Sequence, residues 1–249
     1  DLDLTRTQIG LLTGAGFALG GAALVWLGML ADRIGRRKTM IGGIAASSVF
    51  VAAHSLASGA LSLGALRAAS MASGGLLYPA TGALVAEEAP PRIRGLMTGL
   101  LQVAYPLGWF LASLLAVVLL ADFGWRALFV AGLLGLPFSF VVARVVRESS
   151  RFVAAAPNAK RASLGELFAP GIRRRTLTLF AAQYFFVIAY GGAFAFSPIY
   201  FHEARGFDIA GTATLVGLSN LIGIAGYVLA AWVGEFHLTR RTTTIIWTL

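Results

Sequence analysis

The chain has 249 residues, of which 57% are hydrophobic and 12% charged, with a net charge of +9 and a mean hydropathy of +0.78. Soluble domains carry about 25% charged residues, so a water-soluble globule is excluded and lipid must be the solvent. There is no cysteine, which excludes disulfides and leaves the redox compartment open.

Seven apolar runs follow one another, at residues 8–30, 39–57, 61–86, 96–120, 125–146, 176–201 and 209–233, and residues 242–249 begin an eighth. A bilayer takes about 20 apolar residues as helix, and in lipid every backbone polar group must be bonded within its own segment. The expected fold class is therefore all-α and polytopic. Sixteen of the 20 cations fall in four of the intervening segments: Arg33 to Lys38, Arg92 with Arg94, Arg144 to Arg175, and Arg240 with Arg241. Segments that alternate in this way report orientation in the membrane rather than a nucleic-acid face. All four are expected in the cytoplasm, with residue 1 on the outer side of the inner (plasma) membrane. The divisions expected are a first bundle over 1–146, a cytoplasmic linker over 147–175 and the start of a second bundle over 176–249. Chain start and end both read as cut points within a longer protein.

The first basic segment reads Gly28-Met29-Leu30-Ala31-Asp32-Arg33-Ile34-Gly35-Arg36-Arg37-Lys38. It resembles the loop between the second and third helices of major facilitator superfamily transporters, with Gly28, Asp32, Arg33, Gly35, Arg36 and Arg37 all in place. The resemblance implies two six-helix halves, here incomplete, running from the second helix to the start of the ninth. It also implies that Asp32 belongs to an ion-pair latch on the cytoplasmic side, with Arg36 and Arg94 as partners. The string Gly234-Glu235…Arg240-Arg241 occupies the matching place in the second half.

The third run and its exit carry Arg67, Pro79, Glu87, Glu88, Pro91 and Arg94-Gly95, similar to the family's fourth helix and its E-x-x-P-x-x-x-R-G end. Where the family places Gly four residues after the arginine, this chain has Met71. Arg67 is the one cation placed away from the ends of a run. Proton coupling, which the resemblance implies, stands beside simple snorkelling, because Arg67 lies only about 9 Å from the outer end of its run.

Gly124-Trp125-Arg126 and Arg147-Glu148-Ser149-Ser150-Arg151-Phe152 resemble the signatures bracketing the sixth helix of metabolite:proton symporters, with Ser150 in place of their Pro. Glu148 and Arg151 are expected to join the latch. The fourth run, with Gln102, Tyr105 and Pro106, lacks the drug antiporters' Gly-Pro element and resembles the carboxylate, sialic acid and aromatic acid branch. That implies a proton-coupled symporter of a small organic anion, with a drug exporter, a sugar porter or a non-transporting scaffold as alternatives.

Polar groups within apolar runs are Tyr78, Gln102, Tyr105, Gln183, Tyr184, Tyr190, Asn220 and Tyr227. Gln102, Tyr105, Gln183 and Tyr190 are the expected substrate contacts, since such carriers bind at the midplane between halves. His54 is expected to be structural. No metal-ligand spacing, nucleophile elbow or phosphate loop is present, so the expectation is no enzyme and no cofactor. The partners expected are a small molecule, protons and lipid, with no nucleic acid, for a monomer.

Overall fold

The computed structural model describes residues 5–155 and 164–248, and every regular element among them is helical. In chain order these are α1 (Arg6–Ile34), α2 (Arg36–Ala53), α3 (Ala60–Gly75), α4 (Leu77–Glu88), α5 (Arg94–Leu101), α6 (Ala104–Val130), α7 (Gly135–Val145), α8 (Ser150–Ala155), α9 (Arg173–Ile199), α10 (Ile209–Phe236) and α11 (Arg240–Thr248). Four helical stretches are long and apolar enough to cross a bilayer: Arg36–Leu56, Ala60–Glu88, Pro91–Val145 and Ile209–Phe236. A fifth is α1, when its segments Gly10–Ala22 and Trp26–Ile34, bent by 41°, count as one. The sixth expected run corresponds to α9, which has 27 residues and opens on three arginines.

Pro91–Val145 has 55 residues, enough for two crossings of about 20 residues each. It turns at Gly124, where φ is 73° and ψ 177°, a conformation open to glycine and costly for other residues. Two further breaks have a proline cause. Pro79 cannot donate to the Gly75 carbonyl, and the helix parts into α3 and α4 at Leu76. Pro106 cannot donate to Gln102, whose carbonyl accepts from Tyr105 N at 3.1 Å instead. Pro198 stays inside α9, and the carbonyl it would have bonded, Phe194 O, accepts from Ser197 Oγ at 2.9 Å.

Helix directions follow from which residues meet. Gly20 would place a Cβ 2.8 Å from Met71 Cβ, and Gly16 one 3.2 Å from Arg67 Cγ, so α1 and α3 run parallel. Gly43 lies against Ser73 and Leu76, and Gly132 against Val51, so α3 and the 125–145 segment both run antiparallel to α2. Gly217 lies against Ser113 and Gly99 against Ala231, which sets α10 antiparallel to α5 and α6. The Gly16-Gly20 pair therefore packs as a small-residue helix contact. Gly10 and Gly14 of α1 meet nothing within 4 Å among the described residues. Where the family has glycine and this chain has Met71, the space comes from Gly20 across the contact.

These directions bring residues 32–38, 87–95, 143–152 and 235 to one end and 54–60 and 124–130 to the other. The first end is the arginine-rich one. At the second end, Arg126 Nε donates to Ser55 O at 3.1 Å and its guanidinium lies 4.4 Å over the Trp125 ring. His54 is buried there, stacked 4.9 Å from Phe129, with Nδ1 2.7 Å from Phe50 O. Burial itself is inverted relative to a soluble protein. Large apolar side chains such as Leu179, Phe185, Val187 and Ile222 face outward, while Ser48, Ser73 and Ser139 are buried. Each of these serines returns its hydroxyl proton to a carbonyl of its own helix, at 2.7 Å. That satisfies a polar group where no water can.

Candidate functional site

At the arginine-rich end the chain breaks between α1 and α2 at a single residue, Gly35, with φ 103° and ψ 151°. The break points the first N–H groups of α2 away from α1. A helix N-terminus leaves such donors unpaired and carries partial positive charge, which suits a carboxylate. Glu148, beyond the end of α7, supplies it. Its Oε1 accepts from Arg36 N at 2.8 Å and Arg37 N at 3.2 Å, and its Oε2 from Arg37 N at 3.3 Å. A Cβ on Gly35 would collide with Glu148 Oε2 and lie 3.0 Å from Cδ. Glycine is thus required twice, for its φ and for the space.

The side chains of α2's first turn tie in the neighbouring segments. Arg36 Nη2 donates to Glu87 Oε1 of α4 at 2.9 Å and pairs with Asp32 Oδ1 of α1 at 3.2 Å, while its guanidinium lies 4.9 Å over the Phe152 ring of α8. Arg37 Nε donates to Val146 O at 2.8 Å and its Nη2 to Ala143 O, covering carbonyls that the end of α7 leaves unpaired. Ser149 donates its hydroxyl to Glu87 Oε2, and its amide to Glu148 Oε1 at 3.1 Å. Ser150 gives both its amide and its hydroxyl to Glu88 Oε1, at 2.7 and 2.8 Å. A proline at position 150 has no amide to give, so this departure from the symporter signature adds a bond to Glu88.

Of the expected latch residues, Asp32, Gly35, Arg36, Arg37, Glu87 and Glu148 meet in this cluster. A Cβ on Gly28 would lie 4.0 Å from Pro79, so this glycine faces α4 where α1 approaches it. Arg33 is exposed, and Arg151 is exposed beside Glu88, on which its charge acts. Arg94 is not brought to Asp32: its Nη2 donates to Ala89 O at 3.3 Å, within its own turn. Next to it, the Gly95 amide donates to Glu235 of α10 at 3.3 Å. A carboxylate from α10 thus sits at the start of α5, as Glu148 sits at the start of α2. The sequence marked residues 234–241 as the counterpart of the first basic loop but did not reveal this partner.

Deeper in, Arg67 is half-buried, and its Nε is buried with no hydrogen-bond partner among the described residues. Gln102 is exposed at the break before α6, Tyr105 is partly exposed at the start of α6, and Gln183 is exposed on α9. Tyr190 lies within α9, but its side chain is outside the described residues. Asn220 is buried with its amide spent on Val216 O at 2.8 Å, one turn back in its own helix. Tyr78 and Tyr227, outside the expected contact set, lie at about the same level as Tyr105: Tyr227 through the antiparallel register of α6 and α10, and Tyr78 ten residues before the end of α4. The signal available in sequence was the pair of prolines, Pro79 and Pro106, each next to a tyrosine.

The whole sequence, residues 1–249, matches the Major Facilitator Superfamily. It is 27% identical to the niacin transporter NiaP of Acinetobacter baylyi, over 98% of this chain and 62% of that protein. It is 28% identical to the cis,cis-muconate transport protein of the same organism, over 98% of this chain and 60% of that protein. The gallate transporter of Pseudomonas putida is 26% identical, over 100% of this chain and 62% of its own length. All three are named as transporters, which agrees with the expectation of a non-enzyme. The chain thus spans about three fifths of the length of these curated relatives. With its all-α, multi-pass architecture and the basic α1–α2 junction, this chain belongs to the Major Facilitator Superfamily.

Proposed function

We propose that this chain forms the larger part of a secondary transporter that takes up a small organic anion together with protons across the inner membrane, with residue 1 outside. The carrying observation is the cluster on Arg36 and Glu148, which ties the cytoplasmic ends of α1, α2, α4 and the 147–152 segment. Held together, those ends make one body of the first bundle's cytoplasmic end, and the bond from Gly95 N to Glu235 links that body to α10. Alternating access requires such contacts to form in one state and release in the other. Asp32, Arg33, Gly35, Arg36, Arg37, Glu87, Arg94, Glu148 and Arg151 are the residues of that latch, with Gly28 where α1 approaches α4.

Arg67 supports the anion. An arginine within a membrane span costs several kcal/mol unless paired or hydrated, and its unpartnered Nε is a donor for a carboxylate. Proton coupling follows if the carboxylate that Arg67 holds gains and loses a proton during the cycle. Gln102, Tyr105, Gln183 and Tyr190 are the proposed substrate contacts. The relatives' named substrates, niacin, muconate and gallate, each carry a carboxylate, which supports the same class.

The test is substrate-driven alkalinisation outside proteoliposomes holding the full-length protein, with organic acids added one at a time. Uptake with concurrent proton entry is the expected result. Uptake with no proton movement would remove symport, and dye efflux without acid uptake would favour export.

A further inference from the structure

Three tyrosines from three separate helices converge where the bundles meet. Tyr78 opens α4 just after the break at Leu76, Tyr105 opens α6 just after the break at Gln102, and Tyr227 lies on α10. The register is fixed independently by glycine contacts. Gly99 lies against Ala231 and Gly217 against Ser113, so antiparallel α6 and α10 set Tyr105 level with Tyr227. Their depths below the arginine-rich end agree: about 15 Å for Tyr78, 16 Å for Tyr105 and 12 Å for Tyr227, at 1.5 Å per residue.

The aromatic surface continues outward. Trp109 sits one turn along α6 from Tyr105 and meets Phe194 of α9 edge-on, with ring centroids 6.0 Å apart. All three tyrosines and Trp109 remain partly exposed, so the rings present faces rather than being filled in. Residues from α4 and α6 form one side of this wall, and residues from α9 and α10 the other. Aromatic faces take a planar ring by stacking or edge contact, and phenol hydroxyls add a donor and an acceptor each. A sugar acid offers no planar ring to such a wall.

We propose that Tyr78, Tyr105 and Tyr227, gathered at one depth between the two bundles, form a ring-binding subsite that makes this carrier select aromatic over non-aromatic carboxylates. The inference rests on the organic-anion reading above, gives Tyr105 a specific role within it and adds Tyr78 and Tyr227. The carboxylate itself is common to both ligand types and gives no selectivity.

The experiment measures equilibrium binding of benzoate and of glucuronate to the full-length protein, purified, and takes the ratio of the two affinities. Loss of folded protein lowers both signals together and leaves the ratio unchanged. Tyr105→Leu and Tyr227→Leu are each expected to lower the benzoate-to-glucuronate ratio by about three- to tenfold. Tyr105→Phe keeps the ring face and is expected to hold the ratio within about twofold. Ratios unchanged in both leucine variants overturn the subsite. Binding of glucuronate but not benzoate by the unaltered protein overturns it too, while leaving the organic-anion reading in place. Binding of neither acid overturns both.

Discussion

Gly35→Ala tests the junction on which the latch depends. At φ 103° and ψ 151° an alanine sits in a region that is essentially reserved for glycine, costing about 1–3 kcal/mol. Its Cβ also collides with Glu148 Oε2, so the carboxylate must leave. Leaving breaks the bonds from Arg36 N and Arg37 N, at 2.8 and 3.2 Å, and strands donors that are part-buried. Hydrogen bonds to a charged group contribute about 1.5–3 kcal/mol net, and the two are lost together. Counting the pair of bonds once, the sum is about 2.5–6 kcal/mol against the conformation in which the arginine-rich end is tied together. Three kcal/mol already shifts a two-state equilibrium by about 150-fold.

The assay is thermal unfolding of the full-length protein, together with labelling of a cysteine placed between the helices just below the arginine-rich end. Gly35→Ala should melt lower and label faster. Glu148→Ala should do the same to a lesser degree, since it spares the backbone, and Glu148→Gln should do least, since its amide oxygen still accepts. The double variant Gly35→Ala/Glu148→Ala should fall short of the sum of the singles, because both remove the same cap. Additive effects, or a Gly35→Ala protein that melts and labels like the unaltered one, would refute the reasoning.

Three further outcomes are expected. Arg36→Lys should cost about 1–2 kcal/mol in thermal or denaturant unfolding, because a lysine loses the planar guanidinium's stacking over Phe152 and reaches Asp32 and Glu87 from a shorter stem, and Asp32→Asn should cost under about 0.5 kcal/mol. That order follows from side-chain exposures of 13% for Arg36, 17% for Glu87 and 60% for Asp32. Gly99→Ala should destabilise by about 1–3 kcal/mol through overpacking on Ala231, whose Cα lies 3.2 Å from the added Cβ, and Ala231→Gly should restore most of it. Cysteines at Ala60, Asp122 and Glu203 should react with impermeant reagents from outside and those at Lys38 and Arg240 should not; one inversion would overturn the orientation.

The apolar runs and the basic loops were legible because lipid leaves the chain few choices. A span must be apolar, helical and about 20 residues long, and its flanking cations must stay in water. The α1–α2 junction was legible for another reason: a one-residue turn between two spans demands a residue such as Gly35, and the cations beside it are dense. Which acid would answer those cations was only partly readable. Asp32 lies four residues from Arg36 and meets it by helix geometry alone. Arg94, by contrast, was expected at Asp32 and turns instead to Ala89, because its own helix start leaves a carbonyl closer at hand.

Long-range convergence was the illegible part. Glu148 reaches backbone N–H groups 111 and 112 residues away, and Glu235 reaches Gly95 across 140. Neither contact follows from a local pattern, since the acceptor's partner is a backbone amide that every residue but proline carries. The same limit explains the tyrosines. Tyr105 was selected because it is polar within an apolar run, and Tyr78 and Tyr227 met that test equally. What separates them from Asn220, also polar and near mid-span, is that Asn220 spends its amide one turn back at Val216 whereas the phenols cannot reach a carbonyl of their own helix. A long aromatic side chain in a lipid-embedded helix must carry its hydroxyl to another helix, to water or to a ligand. Tyr78 and Tyr105 each open a helix just after a proline-linked break, and the glycine-set register of α6 and α10 places Tyr227 at the level of Tyr105.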